Sequence, residues 1–384
     1  MPHNIDGYIA PGFEPVMDAF VQNFDDGLEL GAGFSAYIGD DLIFDVYGGW
    51  MDRRKTKPWV KDTIVPVYST TKGISALVVC MELFEKLDAP NPYEVPVASI
   101  WPEFAANGKD NVTLGQLLSH QAGLPGFIGP VDPDLWFDPP GLAAHLAEIA
   151  PMWTPGDGSG YHPLTWGYLA GEIVRRISPR SLGQNLQLKV TNSDGHDPDR
   201  EVIDFWIGTP ESQHDRIADI QRPPAAPELG EINEYRKAAF LTKWAAPNRG
   251  GPEWRTLEIP SANGHGTAKA VARLYGAYAN RGVIGDNHIV DADGQFEALT
   301  KQRTLGEDKV LPFTMEFAAG VMRNNNRIYG PNPETLCHAG WGGSMGLGDP
   351  DRNLSAAYVM NKQSNKLQTD QRAQALIAAL YGCL

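Results

Sequence analysis

At 384 residues, with 42% hydrophobic and 21% charged residues, the chain can build one large domain or two of ordinary size, and its composition is that of a globular protein. Its 32 Lys+Arg stand against 47 Asp+Glu, a formal net charge of −15. That field repels phosphate backbones and anionic lipid, so neither nucleic acid nor a membrane surface is expected as a partner. The N-terminus, MPHNIDGYIAPGFEPVMDAF, has no basic segment followed by an apolar one, and no run approaches the roughly 18 apolar residues of a membrane span. The three cysteines (Cys80, Cys337, Cys383) are odd in number, widely spaced and without CxxC. They read as reduced thiols in a cytoplasmic protein, and no His/Asp/Glu/Cys cluster has zinc-ligand spacing, so no metal and no other cofactor is expected.

In chain order, Glu14–Phe24 predicts a helix, with Pro15 in its first turn, Val16, Phe20 and Phe24 at helical spacing, and Gly27 beyond its end. GFSAYIG and LIFDVYG around Asp40-Asp41 predict a hairpin. Gly73–Leu87 reads as a helix through Ile74, Leu77, Val78 and Met81. From about Asn91 to Gly264 the chain is rich in Pro, Trp and Gly. It carries helical patches at Leu114–His120, Gly141–Ile149 and Thr165–Ile177 but few strand signals. The segment Thr191–Arg200 is polar and loop-like. A helical pattern over Thr267–Ala279 leads into FAAGVMR, GGSMGLG and LSAAYVMNK, which have strand character, and an amphipathic helix starting near Thr369 ends the chain. The economical architecture is α+β: residues 1–90 and 265–384 build an α/β domain around an antiparallel sheet, and 91–264 form an inserted, mostly helical domain, with the active site at their interface.

The chemistry starts at Ser69-Thr70-Thr71-Lys72. Ser69 lies at a helix N-terminus, where residues i and i+3 share a face, so the Lys72 amine can approach the hydroxyl. The helix end favours a developing alkoxide, and a buried, neutral lysine can take the proton. Ser-x-x-Lys alone is weak, since an N-capping serine followed by a solvated lysine has the same spacing. Only Ser69 in this chain has a lysine at that spacing.

Specificity comes from the segments downstream of this pair: Leu117–Pro125 (LLSHQAGLP), Trp153-Thr154-Pro155-Gly156, Tyr161-His162-Pro163, and Cys337–Ser344 (CHAGWGGS). In this order and spacing, from about Gly33 to Lys362, the chain resembles the class C β-lactamase-like serine hydrolases. It is most similar to their esterase branch, the family VIII carboxylesterases. The resemblance implies a β-lactamase/transpeptidase-like fold. It also implies Ser69 as acylated nucleophile, Lys72 as its base, and Tyr161 as the group that relays a proton to the leaving group. The backbone N–H groups of Ser69 and Trp341 would form the oxyanion hole, because Trp341 follows the His338-Ala339-Gly340 that replaces the lactamases' Lys-Thr-Gly. A phenol beside a lysine is expected to have its pKa lowered. His338, Gly340 and Trp341, with Phe127 and Trp136 from the helical region, are the expected substrate-binding residues. Tyr168 is the rival for the tyrosine role, and His120, Trp153 and Trp166 read as structural.

Two departures bear on substrate. Pro163 stands where the lactamases' asparagine is expected, and His338 stands for their lysine, leaving only a partial, pH-dependent charge for a lactam carboxylate. Both lower the expectation of β-lactam turnover and leave ester cleavage untouched. The expected activity is therefore hydrolysis of small, short-acyl carboxylic esters. A weak β-lactamase or penicillin-interactive hydrolase, an acyltransferase using the same acyl-enzyme, and a catalytically silent binding protein are the other readings. Gly342-Gly343-Ser344-Met345-Gly346 also satisfies G-x-S-x-G, the nucleophile elbow of α/β-hydrolases, but that fold needs a histidine after its serine, and His338 is the last in the chain.

Overall fold

The computed structural model describes residues 2–242, 244, 250–368 and 370–384. Among them, nine strands form one antiparallel sheet: β1 (Asp6–Ile9), β2 (Gly31–Ile38), β3 (Asp41–Gly49), β4 (Thr304–Glu307), β5 (Thr314–Phe317), β6 (Met322–Arg323), β7 (Leu336–Ala339), β8 (Met345–Asp349) and β9 (Leu354–Met360). Their order is β1-β3-β2-β9-β8-β7-β6-β5-β4. The β2–β9 pair, with Phe34 opposite Tyr358, joins the two ends of the chain at the centre of the sheet. The principal helices are α1 (Glu14–Asp25), α2 (Thr71–Lys86), α3 (Leu114–Leu118), α4 (Pro139–Glu148), α5 (Thr165–Ile177), α6 (Ala268–Ala279) and α7 (Gln371–Gly382).

Both faces of the sheet are covered, so β9 reads LSAAYVM without alternation and all seven residues are buried. Leu354, Ala356, Tyr358 and Met360 meet Val16, Phe20 and Phe24 of α1 and Leu376, Ile377 and Leu380 of α7. Ala357 and Val359 face the other way, onto Val271, Leu274 and Tyr275 of α6 and the α2 core beyond. Each fully buried side chain of this size contributes about 1.5–3 kcal/mol.

Helix ends follow local chemistry. Thr113 and Gln116 close a capping box on α3, and Asp138, Thr267 and Asp370 cap α4, α6 and α7. The expected start of the last helix, Thr369, lies outside the described residues. FAAGVMR is not one strand: Gly320, at φ +90°, reverses the chain, so β5 and β6 pair as a hairpin. Likewise Gly342 and Gly343 have φ of +88° and +125°, and the strand expected over GGSMGLG begins only at Met345.

The described residues of 91–264 give the nine-stranded sheet no strand. Their one described strand, Phe205–Trp206, pairs with His265–Gly266, which pairs in turn with Val65–Pro66 just ahead of α2. This three-stranded ribbon delivers the chain to Ser69. Among the described residues no helix is long and apolar enough to cross a membrane.

Candidate active site

Ser69 sits in a single helical turn, Tyr68–Thr70, that runs into α2. Tyr68, the residue before it, has φ +47°, a left-handed conformation costly for a bulky side chain and held only where the surroundings enforce it. The enforcing contacts are on the neighbouring backbone. Val67 N donates to Gly264 O (2.9 Å), Tyr275 Oη donates to Thr70 O (2.8 Å), and Tyr278 Oη donates to Gly73 O (2.6 Å). A Cβ on Gly73 would lie 2.3 Å from the Tyr275 hydroxyl, so glycine is required there.

Lys72 is fully buried, which pushes its ammonium well below its ordinary value. Its Nζ lies 3.3 Å from Ser69 Oγ and donates to Pro163 O (2.7 Å) and Ser261 O (3.1 Å). A neutral amine has two hydrogens and one lone pair. In that form the two carbonyls would take the hydrogens and leave the lone pair for the Ser69 hydroxyl. Tyr161 lies beneath, its ring centroid 4.7 Å from Nζ and its phenol hydrogen-bonded to the Ser69 side chain. Burial, with a smaller push from the Asp308 charge, raises this phenol above its ordinary value. The expected lowering by the neighbouring lysine is not found, because burial is the largest influence on the phenol and pushes the lysine ammonium down as well.

Tyr161 is held by backbone and ring contacts. The buried Asp308 carboxylate accepts from Tyr161 N (2.9 Å) and Ser159 Oγ (2.9 Å), and from Val310 N and Leu311 N on its own loop. His120 packs its ring 4.8 Å from that of Tyr161, and its Nδ1 accepts from His162 N (3.1 Å). His162 Nδ1 in turn donates to Gly160 O (2.6 Å), while its Nε2 accepts from Leu124 N (3.0 Å). Both ring nitrogens are occupied by neutral partners, and burial brings this imidazole down to about 3.

Ser69 and Tyr161 open onto a cavity of about 330 Å³, whose walls draw on both the sheet end of the chain and the 91–264 segment. A beta-lactamase family model matches residues 17–380. The chain belongs to the beta-lactamase family. It is similar to a penicillin-binding protein homologue from Caulobacter crescentus, at 46% identity over 99% of this chain and 100% of that one, with a TM-score of 0.93. The structure of a family VIII carboxylesterase is 36% identical over 99% of this chain and 100% of that one, with a TM-score of 0.89. The esterase/beta-lactamase LipL of Mycobacterium tuberculosis is 30% identical over 370 residues, 93% of this chain and 82% of that protein. The protein is thus a serine hydrolase of the esterase/beta-lactamase fold.

Within this beta-lactamase-family site, the departures seen in the sequence have physical consequences. Pro163 offers no side-chain amide, but its carbonyl holds Lys72. His338 lines the cavity, and its Nδ1 donates to Ala339 O (2.7 Å). Burial, followed by the nearby Lys72, brings its imidazole down to about 3, so the partial charge expected there is absent at neutral pH. Gly340 lies against the turn that carries Ser69, where a Cβ would stand 2.2 Å from Val67 O and 2.1 Å from Ser344 Oγ. Ser344, the rival serine, is buried and donates to Val67 O (2.8 Å), 3.2 Å from Thr70 Oγ1. It ties the β7–β8 turn to the backbone ahead of Ser69.

Ser69, Tyr161, His338, Gly340 and Trp341 meet at the cavity, with Lys72 directly behind. Phe127 and Trp136 do not reach it. Phe127 packs between His145 and Trp244, and Trp136 stacks on Trp244 and donates its Nε1 to Trp244 O (3.1 Å). They are core aromatics of the helical region. The apolar walls come instead from Phe240, Leu241, Trp254, Leu311 and Met322, residues with no motif to mark them. The rival tyrosine, Tyr168, is buried beside Trp136, also outside the cavity lining. Asp308 was invisible in the sequence because its partner Tyr161 is 147 residues away.

Proposed function

We propose that the protein is a serine carboxylesterase that hydrolyses small, short-acyl esters through an acyl-enzyme on Ser69. The observation that carries this reading is the environment of Lys72. It is buried, which favours the neutral amine, and its Nζ lies within reach of Pro163 O, Ser261 O and Ser69 Oγ, so that once neutral it has two carbonyls for its hydrogens and Ser69 for its lone pair. The amine takes the Ser69 proton as Oγ attacks the ester carbonyl carbon. The oxyanion that forms is held by the N–H groups of Ser69 and Trp341, worth several kcal/mol at such sites. Tyr161, kept as a neutral phenol, gives its proton to the departing alkoxide and recovers one from the Lys72 ammonium. A base and an acid whose pKa values are driven apart by one buried environment divide the work in this way. Water then attacks the acyl carbon, its proton passes to the Tyr161–Lys72 pair, and Ser69 leaves with its proton restored.

The ester rather than the lactam is favoured by the neutrality of His338 and by the missing amide at Pro163. A cavity near 330 Å³ is at the small end for ligand sites and suits short acyl groups. The test compares kcat/KM for p-nitrophenyl acetate, butyrate and a long-chain homologue with that for a chromogenic cephalosporin. The short esters are expected to lead. Equal or greater efficiency on the cephalosporin overturns the ester assignment.

A further inference from the structure

We propose that Arg222 is an anion-binding subsite of this cavity, and that the preferred esters carry a carboxylate remote from the scissile bond. This rests on the ester reading above. Of the described residues lining the cavity, Arg222 alone has a charged side chain. His338, where a lactamase-like site would place a cation, is neutral. Lys72 lies behind the wall, donating to Pro163 O and Ser261 O. The charged side chain that a substrate meets is supplied by Arg222, not by β7.

The segment around Arg222 is built to hold it. Gln221 N donates to Asn361 O (2.7 Å), and Gln363 N donates to Gln221 O (2.9 Å), so the residue before Arg222 is fixed to the chain leaving β9. Gln363 Nε2 in turn reaches Trp341 O (3.1 Å), which places Arg222 on the Trp341 side of the cavity. Pro223 and Pro224 follow, and a residue preceding proline is confined to extended backbone. No carboxylate or other acceptor pairs with the guanidinium among the described residues. An exposed guanidinium without a partner, at the edge of an apolar cavity, is the one charged side chain of the described lining that can pair with a substrate carboxylate. The surrounding Pro223, Ala225, Pro227 and Leu241 offer only apolar contact to a neutral substrate.

The carboxylate can sit on the acyl or on the alcohol part, and two substrate pairs separate these cases. Monoethyl glutarate against ethyl pentanoate probes the acyl side, and 4-acetoxybenzoate against 4-acetoxybenzamide probes the alcohol side. At low salt, one anionic ester should exceed its neutral partner in kcat/KM by about two- to fivefold, the upper part of the range for an exposed ion pair. The advantage should shrink as salt is raised, fall toward one in Arg222→Gln, and survive in part in Arg222→Lys. Ratios at or below one for both pairs in the wild type, or a ratio untouched by Arg222→Gln, overturn the subsite while leaving the esterase standing. Absence of turnover on all four esters overturns the esterase reading, and the subsite falls with it.

Discussion

Acidification probes the buried histidines before any substrate is added. The imidazoles of His162, His265 and His338 are each held down to about 3 by burial, against an ordinary 6.5. A group whose folded value is depressed leaves stability intact above its unfolded value and removes it as pH falls toward the folded one. Between pH 7 and pH 5 only the unfolded chain takes up these protons, and each histidine then costs about 2 kcal/mol. Three independent sites cost about 6 kcal/mol, comparable to the whole ~5–15 kcal/mol of a typical fold. Urea unfolding at the two pH values measures the loss. His162→Gln retains a donor for Gly160 O and an acceptor for Leu124 N but cannot titrate, so its loss over the same interval should be smaller by about 2 kcal/mol. An unchanged urea midpoint in the wild type at pH 5, or an identical pH dependence in His162→Gln, would refute the neutral-imidazole account.

Three further perturbations address the site. In the pH profile, kcat/KM should fall on the acid side as Lys72 gains a proton, with no second limb below the ordinary phenol value of 10.0, because Tyr161 is held above it; a rate that rises with ionisation of a phenol near neutrality would contradict the assignment. Gly340→Ala drives a methyl into Val67 O and Ser344 Oγ, so the turn that carries Ser69 must shift, and kcat/KM should drop by about a hundredfold with a lower Tm. Asp308→Ala leaves the N–H groups of Tyr161, Val310 and Leu311 without their acceptor, at about 1–3 kcal/mol each if they stay buried. Thermal unfolding should register that loss, and steady-state kinetics should show kcat falling more than KM changes.

Much of the architecture was readable because it is local. The periodicity over Thr165–Ile177 gave the observed helix to the residue, and the helix expected over Gly73–Leu87 is α2, which begins two residues earlier, at Thr71, and ends one earlier, at Lys86. The spacing of Ser69 and Lys72 on one helical turn translates directly into the 3.3 Å approach of their side chains. Long-range features were not readable. The types of Phe127 and Trp136 announce burial, but nothing in their neighbourhood says whether they face the cavity or Trp244. The identity of His338 shows a titratable ring, whereas its protonation is set by the depth at which β7 buries it. Arg222 is an ordinary arginine in a proline-rich stretch until the extension of β9 places it beside the cavity. The FAAGVMR segment divided at Gly320 because a reversed backbone, not side-chain type, ends β5.

The central claim is that Ser69, and not Ser344, becomes acylated. Rapid quenching of the enzyme during turnover of a short-chain p-nitrophenyl ester, followed by peptide mass analysis, reads the adduct directly. The acyl mass should appear on the peptide carrying Ser69 in the wild type and vanish in Ser69→Ala together with ester hydrolysis. Ser344→Ala should keep both the adduct and a measurable fraction of activity. An adduct on the Ser344 peptide, or full hydrolysis by Ser69→Ala, would contradict the account.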